Sequence, residues 1–310
     1  MLTNDSREGA AHGASLLRED LFELTDGRSL AYAEWGEPAG VPVILLHGTP
    51  GTHHACPDND LADETTVRLG VRLVTISRPG YSRSTPQPGR TLLGWVDDVA
   101  QLADALALDR FALIGVSGGG PYAMACAFRL PERVGVLSLV STGGPLDEVP
   151  GDRDVLAPDT RAIVDLVRTD PERALKRLIK ESSWLTENPE AVLDPSGWPE
   201  SDRWIVEDPT ARELMLEEMR EAGRLGPLGH VWDVMGFHRE WGFSPRQIRV
   251  PTQIWHGESD GILSPRHFVY LAMAIPEARA TLWPGQGHTA IFRGPYWGQV
   301  LEGAIGALNG

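Results

Sequence analysis

The hydrophobic pattern changes twice along the chain of 310 residues. Short apolar runs of strand length recur up to about residue 144, stop between about 145 and 241, and resume at 250. Continuous apolar runs of this kind are typical of strands that are buried on both faces, as in a mostly parallel sheet. The middle stretch has helix-like segments interrupted by proline and glycine. The pattern predicts an α/β core with an inserted helical part.

The predicted core consists of eight strands and the helices between them. Six strands correspond to apolar runs, at residues 41–46, 72–76, 111–114, 134–140, 250–256 and 279–283. Two more flank the turn signal Asp26-Gly27 and form a hairpin, at residues 22–25 and 29–35. Apolar residues at helical spacing predict an amphipathic helix along Leu92, Val96, Val99, Ala103 and Leu106. Further helices are expected at residues 60–69, from 121 to 130, and after 289.

The domain organisation follows from these patterns. Residues 1–19, rich in Gly, Ala, Ser and charge, are predicted to be a flexible lead-in. Residues 20–144 and 245–310 form the core, and residues 145–244 form the insertion, which we call the cap. From residue 145 to 241 the cap has 22 acidic and 12 basic residues, so it supplies 12 − 22 = −10 of the net charge of −15. It also holds five of the ten tryptophans, most of which should pack the cap while a minority line an apolar pocket.

Composition excludes several classes of protein. A net charge of −15 argues against nucleic acid or an anionic membrane as a partner. No apolar stretch is long enough to span a bilayer and the first residues are charged, so we expect a cytoplasmic protein. Cys56 and Cys126 fit neither a disulfide framework nor a zinc site. The adjacent His53 and His54 have no acidic residue beside them in sequence, so we expect them at the entrance of a site and not on a metal.

The stretch with the strongest functional signal is Gly115-Val-Ser117-Gly-Gly119. It lies where a buried strand passes into a helix, a tight turn that displays its central side chain and leaves little room two residues away on either side. Serine in that place is suited to act as a nucleophile. A phosphate loop is the alternative for such a glycine-rich turn, but the stretch lacks both the Gly-x-Gly-x-x-Gly register and a Walker lysine.

Two later loops provide partners for such a serine. Asp260 follows the strand at 250–256, where a carboxylate can accept a hydrogen bond from a histidine; Glu258 is a rival for that role. His288 is the last histidine and lies in a glycine-containing loop after the strand at 279–283. The chain order is therefore serine, acid, histidine.

This arrangement resembles the α/β-hydrolase superfamily, in its branch with a serine nucleophile and a helical cap. The resemblance covers roughly residues 20–144 and 245–305. It implies a mostly parallel eight-stranded sheet with helices on both faces and functional loops at the carboxyl ends of the strands. By the same resemblance, the loop His47-Gly48-Thr49 and the serine turn provide an oxyanion hole from the N–H groups of Thr49 and Gly118. The spacing His-Gly-x-x-Asp at residues 256–260 resembles the usual form of the acid loop, which favours Asp260 over Glu258. Many relatives have Asp in place of Ser77 and Gly in place of Ser82.

The resemblance implies acyl transfer to water without a cofactor or metal. His288 would accept the Ser117 proton, Asp260 would orient the imidazole, and a small, largely apolar ester would be the substrate. The same three residues could instead serve a cofactor-free lyase, a perhydrolase or a hydrolase of carbon–carbon bonds, and the fold also suits a small-molecule receptor or pseudoenzyme. Proline iminopeptidases usually have Trp after the serine and a second Gly in the His-Gly loop. Gly118 and Thr49 stand there instead, which disfavours a peptidase.

Overall fold

A computed structural model describes residues 16–57 and 65–309. In these ranges eight strands form one sheet, in the order β1-β2-β4-β3-β5-β6-β7-β8. Pairing is antiparallel between β1 and β2 and between β2 and β4, and parallel in all other pairs. The strands are β1 Leu16–Glu23, β2 Ser29–Gly36, β3 Val41–Leu46, β4 Val71–Ile76, β5 Phe111–Val116, β6 Val134–Val140, β7 Thr252–Gly257 and β8 Arg279–Trp283.

Helices cover both faces of the sheet and also fill the segment between β6 and β7. The α-helices of the core are α1 Thr65–Arg68, α2 Trp95–Ala105, α3 Gly120–Arg129, α11 Pro265–Ala274 and α12 Tyr296–Asn309. Those of the cap are α4 Asp152–Val155, α5 Pro158–Thr169, α6 Pro171–Glu181, α7 Trp184–Glu187, α8 Trp204–Glu207, α9 Pro209–Ala222 and α10 Leu228–His238. None of the described helices is long and apolar enough to cross a bilayer.

Alternation along the central strands divides the core between the two faces. Ile44 and Leu46 of β3 join a buried cluster that includes side chains of α2, α3 and α11. Val43 and Leu45 join a second cluster, on the side of α12. Because successive side chains of a strand point to opposite faces, a continuous apolar run supplies both clusters. The predicted α/β-hydrolase fold, with eight strands in a mostly parallel sheet, is confirmed.

One predicted boundary needs a correction, and one predicted helix is described only in part. β1 begins at Leu16, so the lead-in boundary at residue 19 is wrong: residues 16–19 pair with β2 as an edge strand whose half-buried and exposed side chains alternate. Such an edge strand is charged and lacks the apolar run by which the inner strands are recognised. The helix expected at residues 60–69 is only partly described, as α1, because residues 58–64 lie outside the described ranges. The residues of the predicted lead-in before Leu16 also lie outside them.

The cap contacts the loops that follow the carboxyl ends of the strands. The backbone of α10 approaches the loop after β4 so closely that a Cβ on Gly229 would lie 2.8 Å from the carbonyl carbon of Gly80. Gly80 itself has a φ of 90°, which favours glycine. Two glycines facing each other therefore let the cap helix pack directly on a core loop.

Candidate active site

Ser117 lies in the strained turn between β5 and α3. Its φ is 49°, in the left-handed region that is costly for a residue with a side chain. A Cβ on Gly115 would lie 2.7 Å from the Cβ of Ala123, and one on Gly119 would lie 2.7 Å from the carbonyl oxygen of His47. Close packing therefore requires glycine two residues before and two residues after the serine, for the reason inferred from the sequence.

Three of the predicted site residues form a line of hydrogen bonds. The Nε2 of His288 lies 2.9 Å from the Oγ of Ser117, and its Nδ1 lies 2.8 Å from the Oδ2 of Asp260. The Oδ1 of Asp260 accepts hydrogen bonds from the backbone N–H groups of Ile262 and Leu263, both at 2.9 Å. Because this carboxylate is an acceptor at both oxygens, the Nδ1–H of His288 donates to it, which leaves Nε2 free to accept the serine proton.

The electrostatics of the acid loop favour an ionised Asp260. Burial raises the pKa of this carboxyl, but its hydrogen bond and charge interaction with His288 and the N–H of Leu263 outweigh burial, so its pKa lies below the usual value. The rival acid, Glu258, is exposed and accepts a hydrogen bond from the N–H of Gly285 at 3.0 Å. Asp260, and not Glu258, is therefore the acid beside His288.

A second histidine lies behind the acid, a contact that was not predicted from the sequence. The Nε2 of His256, at the end of β7, is 3.5 Å from the Oδ2 of Asp260. Its side chain is 1% exposed, and burial lowers its pKa, which favours the neutral ring. His256 thus adds a polar neighbour to Asp260 without a competing positive charge. Its position four residues before the acid is the signal in the sequence that could have identified it.

The two residues predicted to supply the oxyanion donors, Thr49 and Gly118, are in contact with each other beside Ser117. A Cβ on Gly118 would lie 2.7 Å from the Cβ of Thr49 and 3.0 Å from the ring of Phe237. A Cβ on Gly48 would lie 3.5 Å from the Cβ of Ser117. The loop after β3 and the first residues of the serine turn are therefore in contact, which only glycine at position 118 allows.

A buried carboxylate from the cap, Asp233 of α10, holds the loop of Thr49. Its Oδ2 accepts a hydrogen bond from the Thr49 hydroxyl at 2.6 Å and is 2.7 Å from Arg78. Arg78 also donates to the carbonyl oxygens of His47 and Gly48, at 2.6 and 2.7 Å. The carbonyl groups on one side of this loop are thus fixed by a guanidinium that the cap carboxylate neutralises.

Asp233 has further partners, which the sequence analysis missed. Arg90 lies 2.6 Å from its Oδ1, and the hydroxyls of Tyr81 and Tyr122 donate to its two oxygens at 2.8 Å. Burial raises the Asp233 pKa, but the charges of Arg78 and Arg90 outweigh it, and the net pKa is well below the usual value. The available signal was a single acid in the apolar run Val-Trp-Asp-Val-Met-Gly-Phe.

The histidine pair at 53 and 54 agrees with the prediction only in part: His54 borders a cavity, whereas His53 does not. His53 is fully buried rather than at an entrance, with Nδ1 2.7 Å from the Oγ of Ser77 and Nε2 3.2 Å from Glu19 of β1. His54 Nε2 is 3.5 Å from the same carboxylate. The premise that no acid adjoins the pair is therefore wrong, since the edge strand brings Glu19 to it. Because Arg83 also binds Glu19, at 2.5 Å, the carboxylate already has a cationic partner, and we assign no metal to this group.

A mostly apolar cavity lies between core loops and helices of the cap. It measures about 110 Å³. Its walls come from the stretch after Thr49, from the stretch after His288, and from α8 and α9 of the cap, namely His54, Ala55, Trp204, Ile205, Ala211, Leu214, Met215, Glu217, Glu218 and Phe292. Burial raises the pKa of Glu218, whose carboxylate accepts hydrogen bonds from Thr52. Of the five tryptophans predicted to pack or line the cap, Trp204 borders this cavity.

The sequence matches the model of a known protein family, and the structure superposes on solved structures. A family model described as "Alpha/beta hydrolase family" matches residues 43–295. Among solved structures, a hydrolase from Pseudomonas aeruginosa PA01 superposes with a TM-score of 0.70 at 22% identity, over 94% of this chain and 98% of that one. At that identity the likeness supports the fold alone.

Two curated relatives match over shorter stretches. An uncharacterised hydrolase of Bacillus subtilis, YcgS, is 32% identical over 116 residues, 37% of this chain and 39% of its own length. A 2-hydroxy-6-oxononadienedioate/2-hydroxy-6-oxononatrienedioate hydrolase of Dechloromonas aromatica is 36% identical over 113 residues, 35% of this chain and 39% of its own length. The chain thus matches about two fifths of the length of these relatives.

Proposed function

The chain belongs to the alpha/beta hydrolase family, and from that membership we propose that it is a serine hydrolase that cleaves a small, largely apolar ester through an acyl-enzyme. The observation that carries the proposal is the line of hydrogen bonds from Ser117 through His288 to Asp260, at 2.9 and 2.8 Å. A nucleophile, a base and a group that orients the base are the parts that this chemistry requires.

The proposed reaction has two halves. His288 Nε2 takes the proton from Ser117 Oγ while the oxygen attacks the ester carbonyl, and the N–H groups of Thr49 and Gly118 receive the developing oxyanion. His288 then gives the proton to the leaving alcohol, which departs and leaves the acyl group on Ser117. In the second half a water molecule replaces the alcohol, His288 takes its proton, and the carboxylic acid leaves as Ser117 recovers its hydrogen.

We assign the acyl group of the substrate to the cavity whose walls include the stretches after Thr49 and after His288, and this cavity suits a neutral and apolar group. Among the residues that the structure describes, its lining includes Trp204, Met215 and Phe292 but no lysine or arginine, and its two carboxyl groups belong to Glu217 and Glu218. A dianionic substrate would require cationic partners there. The lining therefore favours an ester over a dicarboxylate, such as the substrates in the name of the Dechloromonas relative.

The competing functions predict different behaviour of the same residues. A receptor or pseudoenzyme would bind a ligand without turnover, and a non-covalent lyase would form no adduct on Ser117. A perhydrolase or a carbon–carbon bond hydrolase would use Ser117 or His288 but prefer peroxide or a diketone-like substrate. A panel of substrates and a serine variant separate these cases.

The test uses activated esters with acyl groups of increasing length and the variants Ser117→Ala and Ser141→Ala. Ser141 is a matched control because it also follows a buried strand and has a left-handed φ of 46°. We expect hydrolysis by wild type and by Ser141→Ala, and a loss of about 10³-fold or more in Ser117→Ala. Equal activity of wild type and Ser117→Ala would refute the proposal.

A further inference from the structure

A short turn of the cap is hydrogen-bonded to the backbone of the loop that contains His288. Asp202 ends the 3-10 turn Glu200–Asp202 and is fully buried. Its Oδ2 accepts a hydrogen bond from the backbone N–H of His288 at 2.9 Å. Its Oδ1 accepts from both the N–H and the hydroxyl of Thr289, each at 2.7 Å. A single cap side chain thus holds two consecutive residues of this loop.

A glycine in the His288 loop, Gly287, leaves room for the carboxylate of Asp202. A Cβ on Gly287 would lie 2.5 Å from the Cγ of Asp202, so any larger residue there would displace it. The same cap turn reaches the acid loop, where Ser201 donates to the carbonyl oxygen of Ser259 at 2.8 Å. The cap is therefore tied to both loops that bring Asp260 and His288 together.

The hydrogen bonds around the Asp202 carboxylate restrict the position of the His288 loop. Within the described ranges the carboxylate of Asp202 has no Arg, Lys or His side chain in ion-pair contact, and N–H and O–H donors surround it instead. A buried charge without a counter-ion is costly unless its oxygens keep their hydrogen bonds. Displacement of the His288 loop would break three of these bonds together, so the carboxylate stabilises one position of the loop.

We propose that Asp202 is a positioning residue for His288, so that a correctly docked cap is required for the imidazole to face Ser117 and Asp260 at once. The inference rests on the proposed function, because Asp202 acts only through His288. A misplacement of about 1 Å in a reacting group can cost on the order of 100-fold in rate. Loss of the Asp202 contact should therefore lower turnover more than substrate affinity.

The experiment compares Asp202→Asn and Thr289→Ala with Asp208→Ala. Asn keeps the shape of Asp but removes the charge. Its NH₂ group replaces one carboxylate oxygen, and as a donor it repels the backbone N–H that this oxygen accepted from. Asp208 is the control: it caps α9 in the same cap by accepting from the N–H of Ala211, and among the described residues its carboxylate makes no hydrogen bond to the His288 loop. Asp208→Ala should lower the melting temperature by a few degrees without altering the site.

We expect Asp202→Asn to lower kcat and the rate of Ser117 labelling by a fluorophosphonate about 10- to 100-fold, with KM changed less than about threefold. Thr289→Ala, which removes one donor, should show a smaller loss of the same kind. In hydrogen exchange, amides of residues 284–292 should exchange faster in Asp202→Asn and stay unchanged in Asp208→Ala.

The possible failures can be told apart. Wild-type kcat and exchange in Asp202→Asn would overturn the inference alone, as would an equal fall in kcat in Asp208→Ala, because the effect would then follow general stability. A folded wild type that is not labelled on Ser117 would overturn the proposed function, and with it the catalytic consequence of Asp202. If Asp202→Asn does not fold, the kcat and exchange of Thr289→Ala decide the question.

Discussion

At the scale of one residue, the backbone around Asp260 determines which of its oxygens can bind His288. Its Oδ1 is occupied by two backbone N–H groups, so only Oδ2 is directed at His288. The acid can then hold one tautomer of the ring. The spacing of the sequence was enough to favour Asp260 over Glu258, but the neighbour His256 was missed because its role depends on how β7 meets the acid loop.

Asp260→Asn tests this arrangement. The amide would retain the shape of the site but favour the wrong tautomer, so kcat should fall by about 10²–10⁴ with little change in thermal stability. Glu258→Gln should remain close to wild type, since Glu258 contacts the backbone of Gly285. Steady-state kinetics on the best ester measure both. The opposite ranking of the two variants would reassign the acid.

At the scale of elements, packing decides which glycines are essential. Gly119 lies between β5 and α3, and the carbonyl oxygens of Leu46, the last residue of β3, and of His47 lie where its Cβ would be. Gly306 lies in α12 with nothing within 4 Å of its position for a Cβ. The sequence marks Gly119 through the motif around Ser117. The motif also predicts that there is little room at Gly119, but the sequence does not show which atoms fill that space, nor that the space beside Gly306 is open, because both depend on neighbouring elements.

The variants Gly119→Ala and Gly306→Ala should therefore change stability in opposite directions. Gly119→Ala should lower the free energy of unfolding by about 3 kcal/mol or more, because the added carbon meets backbone that cannot rotate away. Gly306→Ala should raise it by about 0.5–1 kcal/mol, since alanine is the better helix former. Urea denaturation gives both values. A neutral Gly119→Ala would show that the turn is less tightly packed than described.

Asp233 links a cap helix to two core loops. Removing its carboxylate leaves Arg78 and Arg90 buried without their counter-ion, and the loop of Thr49 loses its anchor. We expect Asp233→Ala to lower the free energy of unfolding by about 3–5 kcal/mol. The exposed Asp165→Asn, on α5, should stay within about 0.5 kcal/mol of wild type. A change in Asp233→Ala no larger than that of Asp165→Asn would contradict the account of this anchor.

At the scale of the whole molecule, the core could be predicted and the contacts of the cap could not. Apolar runs and the serine turn are local patterns, and they predict the sheet and the three residues that meet at its edge. Asp202 and Asp233 bind partners 86 and 184 residues away, and those pairings depend on how the cap helices pack. Ser82, in place of the glycine of many relatives, keeps a left-handed φ of 49°, which its residue type does not indicate.

The buried histidines should make stability depend on pH. Burial lowers the pKa of His238 to about 4, whereas in the unfolded chain it is about 6.5. The unfolded state then binds the proton first, so the stability contributed by the neutral ring is present above pH ~6.5 and falls by about 3 kcal/mol as the pH drops to 4. His53, with its pKa also lowered to about 4, acts in the same direction.

Urea denaturation at pH 7, 5.5 and 4.5 measures this dependence. Wild type should lose stability at each step, and His238→Gln, which cannot titrate, should lose less. Raised pKa values, such as that of Glu218, act in the opposite direction, and the comparison of the two proteins removes their contribution. Identical pH dependence in the two proteins would show that His238 is not a buried neutral base.

The most direct test of the central claim is intact-mass spectrometry of the protein during reaction with an activated apolar ester. The account predicts a transient mass increase equal to one acyl group, mapped by peptide analysis to Ser117 and lost as water releases the acid. The adduct should persist longer in Asp260→Asn under single-turnover conditions and be absent from Ser117→Ala. Turnover of the ester by folded protein with no adduct on Ser117, trapped either by rapid acid quenching or by a fluorophosphonate, would contradict the account.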